Sequence, residues 1–167
     1  MSDELIMWVD RENTVIGSVS RARMRAEGLC HRAVYVLVLN SAGEICVHRR
    51  TMRKDFRPGW LELSAGGVVA ADEEWRDAAQ RELEEELGVK AVLTDHGMFF
   101  DEGDDYQVWG RVYSCMWDGE LRLQPEEVED AWFMPIENIS TELMGPITET
   151  SLNAFHYWQS VQRNEKM

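Results

Sequence analysis

The chain has 167 residues, 44% of them hydrophobic, and a formal net charge of −14 at pH 7. This length supports one domain with a substantial core and is too short for two typical domains. So acidic a chain is not expected to bind a nucleic-acid backbone, whereas an anionic small molecule can bind if a metal ion and local arginines neutralise its charge. No apolar run approaches the ~20 residues needed to span a bilayer, so no membrane association is expected.

The N-terminal residues, MSDELIMWVD, are acidic and lack the basic segment that opens a signal peptide. The three cysteines, Cys30, Cys46 and Cys115, are odd in number and show no CxxC spacing. This usage is typical of free thiols in a reducing compartment, so we expect a cytoplasmic protein.

The first third of the chain is predicted to consist mainly of strands. Residues 6–20 indicate two short strands around a polar turn, and residues 21–28 form a short basic segment of about one helical turn. The run AVYVLVLN, residues 33–40, is almost unbroken in apolar side chains and predicts a strand buried on both faces. After a turn, further strands are expected at residues 44–50 and 60–64, separated by a polar loop.

The C-terminal half predicts more strands and two helices. Strands are expected at residues 91–94, 96–100, 107–117 and 131–134, an acidic loop at 101–105, and helices from about residue 136 and over residues 150–161. The strands flank the helices without strict alternation. This order favours an α+β fold in which a mixed sheet lies between helices, an α/β/α sandwich.

One strongly patterned stretch lies between these halves, at residues 67–89 (GVVAADEEWRDAAQRELEEELGV). Its apolar residues recur at helical spacing and form one stripe, which predicts a helix over residues 73–87. Asp72 is the expected N-cap, and Gly88 is the expected glycine just after the helix.

Three glutamates of this helix, Glu82, Glu85 and Glu86, lie close together in its last two turns. Like charges at spacings of three and four residues repel each other, and the partly negative C-terminal end of a helix disfavours carboxylates. Most glutamate runs are solvated surfaces, but this cluster stands where the helix dipole opposes it. A hard divalent cation bound by oxygen ligands would remove the repulsion.

The same stretch resembles the pattern of the Nudix hydrolases, G-x5-E-x7-R-E-(aliphatic)-x-E-E-x-G-(aliphatic). Every position matches, and the matching residues are Gly67, Glu73, Arg81, Glu82, Leu83, Glu85, Glu86, Gly88 and Val89. Seven fixed letters at fixed spacing make the resemblance specific. It implies the Nudix fold and a loop–helix–loop that holds Mg²⁺ or Mn²⁺ against a diphosphate.

The resemblance also implies roles for individual residues. Glu82, Glu85 and Glu86 would be catalytic and would bind the metal together with the backbone carbonyl of Gly67. Glu73 and Arg81 would form an ion pair that fixes the loop to the helix, with Gly88 supporting the motif. The implied reaction is hydrolysis of the diphosphate linkage of a nucleoside diphosphate derivative or a related small diphosphate. The general base is left open among Glu85, Asp104, Asp105, Glu126, Glu127 and Glu129.

Arg49 and Arg50 end a predicted strand before a loop, and arginine forks match phosphate oxygens. Adjacent strand residues point to opposite faces, so we expect at most one of the two to bind phosphate. We divide the chain into N-terminal strands with the short basic segment, residues 1–29, packing on a Nudix hydrolase domain, residues 30–163. The moiety beyond the diphosphate, the number of metal ions and the oligomeric state, including a homodimer, are left open.

Residues 8–73 are also similar to isopentenyl diphosphate isomerase and its bacterial hydrolase-like relatives, through WVDRENTVIG, HRAVYVLVLN and PGWLELSAGG. The catalytic cysteine of the isomerases falls at Gly66, a metal-binding histidine at Val68 and the catalytic glutamate at Gln107. Since these groups are missing while the glutamates of the helix are kept, we expect a hydrolase. An isomerase-like enzyme and a catalytically idle Nudix ligand sensor are the alternatives.

Overall fold

Residues 4–165 are described by the structure, a computed structural model. Within them, nine strands form one mixed sheet. The strands are β1 (Leu5–Val9), β2 (Val15–Ser20), β3 (Cys30–Leu39), β4 (Glu44–Arg50), β5 (Leu61–Glu62), β6 (Ala65–Val68), β7 (Thr94–Glu102), β8 (Gln107–Met116) and β9 (Val128–Pro135). The helices are α1 (Arg21–Glu27), α2 (Trp75–Leu87), α3 (Thr141–Met144) and α4 (Glu149–Glu165), with a 3₁₀ turn at Ile136–Asn138. None of the helices in this part of the chain is long and apolar enough to cross a membrane.

The long apolar strand β3 is the centre of the sheet. It pairs in antiparallel fashion with β1, β4 and β6, and in parallel with β8 along its whole length. Its side chains are buried on both faces, as predicted from the unbroken apolar run. Val34 and Val36 pack in a cluster with α2, while Tyr35 and Leu37 pack in a second cluster with α4. The expected α+β fold, a mixed sheet between helices, is therefore confirmed.

The motif helix begins two residues later than predicted. α2 starts at Trp75, and its N-cap is Glu74, which makes no side-chain capping hydrogen bond. Asp72 is not the cap, and Glu73 lies outside the helix because its carboxylate binds Arg81 and the Ala70 amide. Gly88 does end the helix in the left-handed conformation, with φ 67°, and its amide donates to Glu84.

Several other boundaries differ from the sequence prediction. Residues 91–93 form no strand; β7 instead starts at Thr94 and reaches Glu102, because it pairs with β8 as far as Gln107. The strand expected at residues 60–64 is limited to the two residues of β5. The helix expected from about residue 136 is a 3₁₀ turn followed by the short α3. The basic segment forms the seven-residue α1, and α4 is longer at both ends than predicted.

The N-terminal hairpin of β1 and β2 joins the main sheet through β1. Trp8 pairs with His31 of β3, and Ile6 packs in a small cluster with Val19, Met24 of α1 and Val68 of β6. This contact places α1 beside the loop that precedes α2. The first three residues of the predicted N-terminal segment lie outside the described residues, and the division at residue 29 stays a prediction.

Gly66 lies where β6 packs closely against β3, so adding a side chain there should destabilise the fold. A Cβ atom at Gly66 would lie 2.0 Å from the Val34 carbonyl oxygen. Gly66→Ala should lower the free energy of unfolding by at least about 2 kcal/mol, since the β3–β6 backbone must shift, and should lower the melting temperature by at least about 4 °C.

Thermal unfolding followed by circular dichroism measures this effect. The matched control is Gly17→Ala in β2, where the nearest atom to a new Cβ is 4.0 Å away, on Trp8. The control should unfold near the wild-type temperature. Equal melting temperatures for the two variants would show that β6 has room for a side chain.

Candidate metal and phosphate site

A cavity of about 540 Å³ opens beside the C-terminal half of α2. Its walls come from β3, β4, β5, β6, α1, α2 and the loops at residues 51–60 and 124–127. Its acidic lining residues include Glu62, Glu82 and Glu85. The basic residues that line it are Arg21, Arg25, Arg50, Arg53, Lys54 and Arg81. Oppositely charged groups thus share one concave site in a chain of strong net negative charge.

The paired glycines on β6 bring the sheet backbone against α2. A Cβ atom at Gly67 would lie 2.7–2.8 Å from the carboxylate atoms of Glu82. The absence of a side chain at Gly67 therefore lets the Glu82 carboxylate approach the backbone. One helical turn further on, Glu86 accepts a hydrogen bond of 3.2 Å from the Gly66 amide through Oε1.

Glu82 and Glu86 are both largely shielded from water. Only 4% of Glu86 is exposed, and burial, together with the charges of Glu82 and Glu62, raises its pKa well above the ordinary value. Burial also raises the pKa of Glu82, although Arg81 donates to its Oε1 at 2.6 Å. Two neighbouring carboxylates with raised pKa values favour a bound cation, because a positive charge offsets both the burial and the repulsion.

Glu85 is placed differently from the other two glutamates. Its side chain is 49% exposed at the cavity edge, and its Oε2 lies 3.4 Å from Arg81. Among residues 4–165, no three His, Cys, Asp or Glu side chains are grouped closely enough to enclose a metal ion. The oxygen donors of Glu82 and Glu86 suit a hard divalent cation, while the Glu85 side chain is directed toward Arg81.

Arg81 is fixed by Glu73 on the loop before the helix. Its Nε and Nη2 donate to the two carboxylate oxygens of Glu73 at 2.7 and 2.9 Å, a two-point contact typical of arginine and carboxylate. Glu73 also accepts from the Ala70 amide at 3.1 Å. The loop, the ion pair and Glu82 therefore form one connected unit.

The two arginines at the end of β4 lie on opposite sides of the sheet. Arg50 lines the cavity, is 8% exposed and donates to Glu62 Oε1 at 2.7 Å. Arg49 does not line it, but donates to the Gly59 carbonyl and lies 3.9 Å from Glu129. Of these two arginines, therefore, Arg50 is the one that can contact a ligand in this cavity.

The sequence interpretation missed seven charged residues that line the cavity: Glu4, Arg21, Arg25, Arg53, Lys54, Asp55 and Glu62. Arg21 and Arg25 are four residues apart on α1, a spacing that places them on one helix face, and each lies 3.7 Å from Asp55. Burial, which would otherwise raise the pKa of Glu62, is outweighed by Arg50 and His48, which hold it at about 2. A lone acid in a short strand carries no such signal in the sequence.

The loop acids considered as general bases divide into two groups. Glu126 and Glu127 line the cavity, and Glu127 forms an ion pair with Lys54. Asp104, Asp105 and Glu129 do not line it, and Asp105 forms an ion pair with Arg57 at 2.8 Å.

The family model for the NUDIX domain matches residues 30–155. The chain belongs to the Nudix family. One relative is Nudix hydrolase PA4841 of Pseudomonas aeruginosa, which is 48% identical over 132 residues, covering 78% of each chain. Another is Nudix hydrolase YfcD of Escherichia coli K12, which is 43% identical over 166 residues, covering 99% of this chain and 91% of the relative. Both relatives carry the name uncharacterized Nudix hydrolase.

A solved structure, DR0079 from Deinococcus radiodurans, superposes on this Nudix chain with a TM-score of 0.79 at 21% identity, covering 93% of this chain and 99% of the other. At this identity the likeness shows the fold alone. Together with the family match, it confirms the predicted Nudix fold, and the relatives confirm the predicted enzyme class, a Nudix hydrolase. The similarity to isopentenyl diphosphate isomerase at the level of a subgroup stays a prediction.

The Glu73–Arg81 ion pair predicts a stability difference within the motif. Glu73→Gln should lower the free energy of unfolding by about 2 kcal/mol, since a partly buried two-point contact to a charged group is lost. Glu84→Gln is the control, because Glu84 is 41% exposed and lies 3.6 Å from Lys90 on the surface; it should change stability by less than about 0.5 kcal/mol. Denaturant unfolding in buffer with chelator measures both, and equal effects would show that the pair does not fix the loop.

Proposed function

We propose that this Nudix hydrolase cleaves the diphosphate linkage of a nucleoside diphosphate derivative or a related small diphosphate, with Mg²⁺ or Mn²⁺ as cofactor. The supporting observation is the crowded pair of carboxylates Glu82 and Glu86: Glu86 is buried, and Glu82 lines a cavity together with Arg50 and Lys54. Glu82 and Glu86 would hold the cation, with the Gly67 carbonyl and Glu85 completing the ligands.

Arg50 and Lys54 have separate roles in the proposed hydrolysis. A bound divalent cation supplies neutralisation of phosphate charge and a lower pKa for bound water. Arg50, whose guanidinium faces the cavity, binds and orients the phosphate oxygens, and Lys54 adds a second positive charge. Attack of water at phosphorus in X–O–P–O–P–O–Y breaks one P–O bond of the anhydride and yields two monophosphates.

A base must take the proton from the attacking water. Glu85 is exposed at the cavity edge, and Glu126 and Glu127 line the cavity from the loop at residues 124–127. Asp104, Asp105 and Glu129 lie outside the cavity, so the geometry favours the first three. Glu127 is engaged with Lys54, which leaves Glu85 and Glu126 as the preferred candidates.

The geometry at Gly66 favours the hydrolase over the isomerase. A catalytic thiol at this position would need a Cβ atom that falls 2.0 Å from the Val34 carbonyl oxygen. Gln107, the other corresponding position, donates to the Gly28 carbonyl and accepts from Arg11, and an amide does not exchange protons near neutral pH. We retain, as a proposal, that the chain belongs to a hydrolase subgroup similar to isopentenyl diphosphate isomerase, without the isomerase chemistry.

We further propose that the enzyme acts in the cytoplasm on a free small molecule, and not on nucleic acid or at a membrane. The net charge of −14 supports this, since a phosphate backbone would be repelled. The three cysteines are buried free thiols, which suits a reducing compartment.

Metal dependence is the first test of this proposal. Nucleotide sugars, dinucleotides, coenzymes, nucleoside diphosphates and isopentenyl diphosphate are incubated with the enzyme and Mg²⁺ or Mn²⁺, and released monophosphate is measured. We expect cleavage of at least one diphosphate, and loss of that cleavage in excess chelator, because clustered carboxylates alone repel a polyanion. Full activity without divalent metal would contradict the proposed mechanism.

The glutamates of α2 are tested by isosteric substitution. Glu82→Gln and Glu86→Gln should each lower kcat by at least about a hundredfold, the scale for the loss of one electrostatic contact in catalysis. Both variants should melt at or slightly above the temperature of the metal-free wild type, since like-charge repulsion is removed. Glu84→Gln on the same helix does not alter the cavity and should keep wild-type turnover. Wild-type rates for Glu82→Gln and Glu86→Gln would mean that these glutamates form only a solvated face.

A further inference from the structure

Glu62 is a buried carboxylate that the sequence motif does not include. It lies on β5, is 8% exposed and lines the cavity. Its Oε1 accepts from Arg50 Nη1 at 2.7 Å, and its Oε2 accepts from the Thr148 hydroxyl at 3.1 Å, just before α4. Glu62 therefore ties the arginine of the cavity to the opposite layer of the fold.

His48 lies between Glu62 and Glu86. This β4 side chain is 2% exposed, and its Nε2 is 3.4 Å from Glu62 Oε1 and 3.8 Å from Glu86 Oε1. Its Nδ1 is buried and has no partner among the described residues. The polar contacts of His48 are thus directed to the two carboxylates, one on β5 and one on α2.

Arg50 and His48 meet at the same oxygen of Glu62: Arg50 Nη1 lies 2.7 Å and His48 Nε2 lies 3.4 Å from Glu62 Oε1, and His48 Nε2 lies 3.8 Å from Glu86 Oε1. This chain of contacts places Arg50 near Glu86. An arginine that paired directly with Glu86 would neutralise the carboxylate and compete with any cation for its oxygens. In the observed arrangement, Arg50 donates from Nη1 to Glu62 and from Nε to the Phe56 carbonyl, the latter at 2.9 Å. Glu86 Oε1 accepts from the Gly66 amide at 3.2 Å, and His48 Nε2 lies next to the same oxygen at 3.8 Å.

We propose that Glu62 and His48 are positioning residues for the metal side of the site: Glu62 holds Arg50 away from Glu86, and His48 fixes the orientation of the Glu86 carboxylate. This inference rests on the proposed function, because it assigns Glu86 to the cation. It explains why a further acid is buried in a cavity that is already crowded with acids. A purely structural role would make the same contacts but would leave the affinity for metal unchanged.

Mn²⁺ binding without substrate separates these roles. Free Mn²⁺ is measured by electron paramagnetic resonance during titration of the wild type, Glu62→Gln, His48→Leu and His48→Gln, with folding checked by circular dichroism. Glu62→Gln and His48→Leu should raise the Kd for Mn²⁺ about tenfold, the lower end of the range for residues that support metal ligands. His48→Gln, which can keep a donor near the Nε2 position, should stay within about threefold of the wild type.

A double variant makes the test specific for Arg50. If Glu62 acts by holding Arg50, then Arg50→Gln combined with Glu62→Gln should bring the Kd back to within about threefold of the wild type, because the competing charge is gone. The double variant also avoids an unpaired buried arginine and is therefore expected to fold. A Kd as high as that of Glu62→Gln alone would overturn the role assigned to Arg50.

Asp101→Asn is the matched control, since Asp101 is also 8% exposed and hydrogen-bonded but does not line the cavity. It should leave the Kd unchanged even if it lowers the melting temperature. Unchanged affinity in folded Glu62→Gln and His48→Leu would overturn the inference, and if Glu62→Gln does not fold, His48→Leu alone decides. Glu86→Gln tests the proposed function separately: if it binds Mn²⁺ as tightly as the wild type, the metal assignment itself is wrong.

Discussion

The repulsion between Glu82 and Glu86 is the interaction on which the site depends. Helical spacing places the two carboxylates on one face, and the packing of α2 against the sheet buries Glu86 and leaves 13% of the Glu82 side chain exposed, so water screens their charges only weakly. The surrounding groups are arranged to accommodate this pair. Arg81 donates to Glu82, and the Gly66 amide donates to Glu86. Since these contacts still leave both pKa values raised, an additional positive charge is the remaining way to stabilise both ionised groups.

The same glycine pair serves the fold and the site. On one side, β6 pairs with β3 so closely that Gly66 has no space for a side chain. On the other side, the open position at Gly67 admits the carboxylate of Glu82. The distance between helix and sheet is thus set by backbone atoms, and the helix that carries the three glutamates packs against the central strand β3. Because the core holds the helix and the sheet in place, the site needs few additional side chains to make it rigid.

Sequence reasoning located the parts of the site that are close in the chain. The spacing from Gly67 to Gly88 predicted that Glu82, Glu85 and Glu86 lie on neighbouring lines of one helix surface, and the apolar run of β3 predicted a strand buried on both faces. Glu82 and Glu86 lie against β6, whereas Glu85 is 49% exposed beside Arg81. Sequence reasoning could not find His48 or Glu62, because these residues meet Glu86 only when β4, β5 and α2 come together. The early helix start was wrong for a similar reason: Glu73 has good helix propensity, yet its contact with Arg81 holds it outside α2. Short apolar runs such as residues 91–94 lack the periodicity that would separate a strand from a loop.

The charges of the cavity bear on how so acidic a chain could bind a diphosphate, as we propose. Five of the six basic residues that line it are already paired: Arg50 with Glu62, Lys54 with Glu127, Arg21 and Arg25 with Asp55, and Arg81 with Glu73 and Glu82. These pairs reduce the positive charge available to attract a polyanion, so the basic residues alone would bind a diphosphate only weakly. In the proposed mechanism, a cation held by Glu82 and Glu86 would add the missing positive charge. Metal and diphosphate are therefore expected to strengthen each other's binding, and by thermodynamic linkage the effect must be equal in both directions.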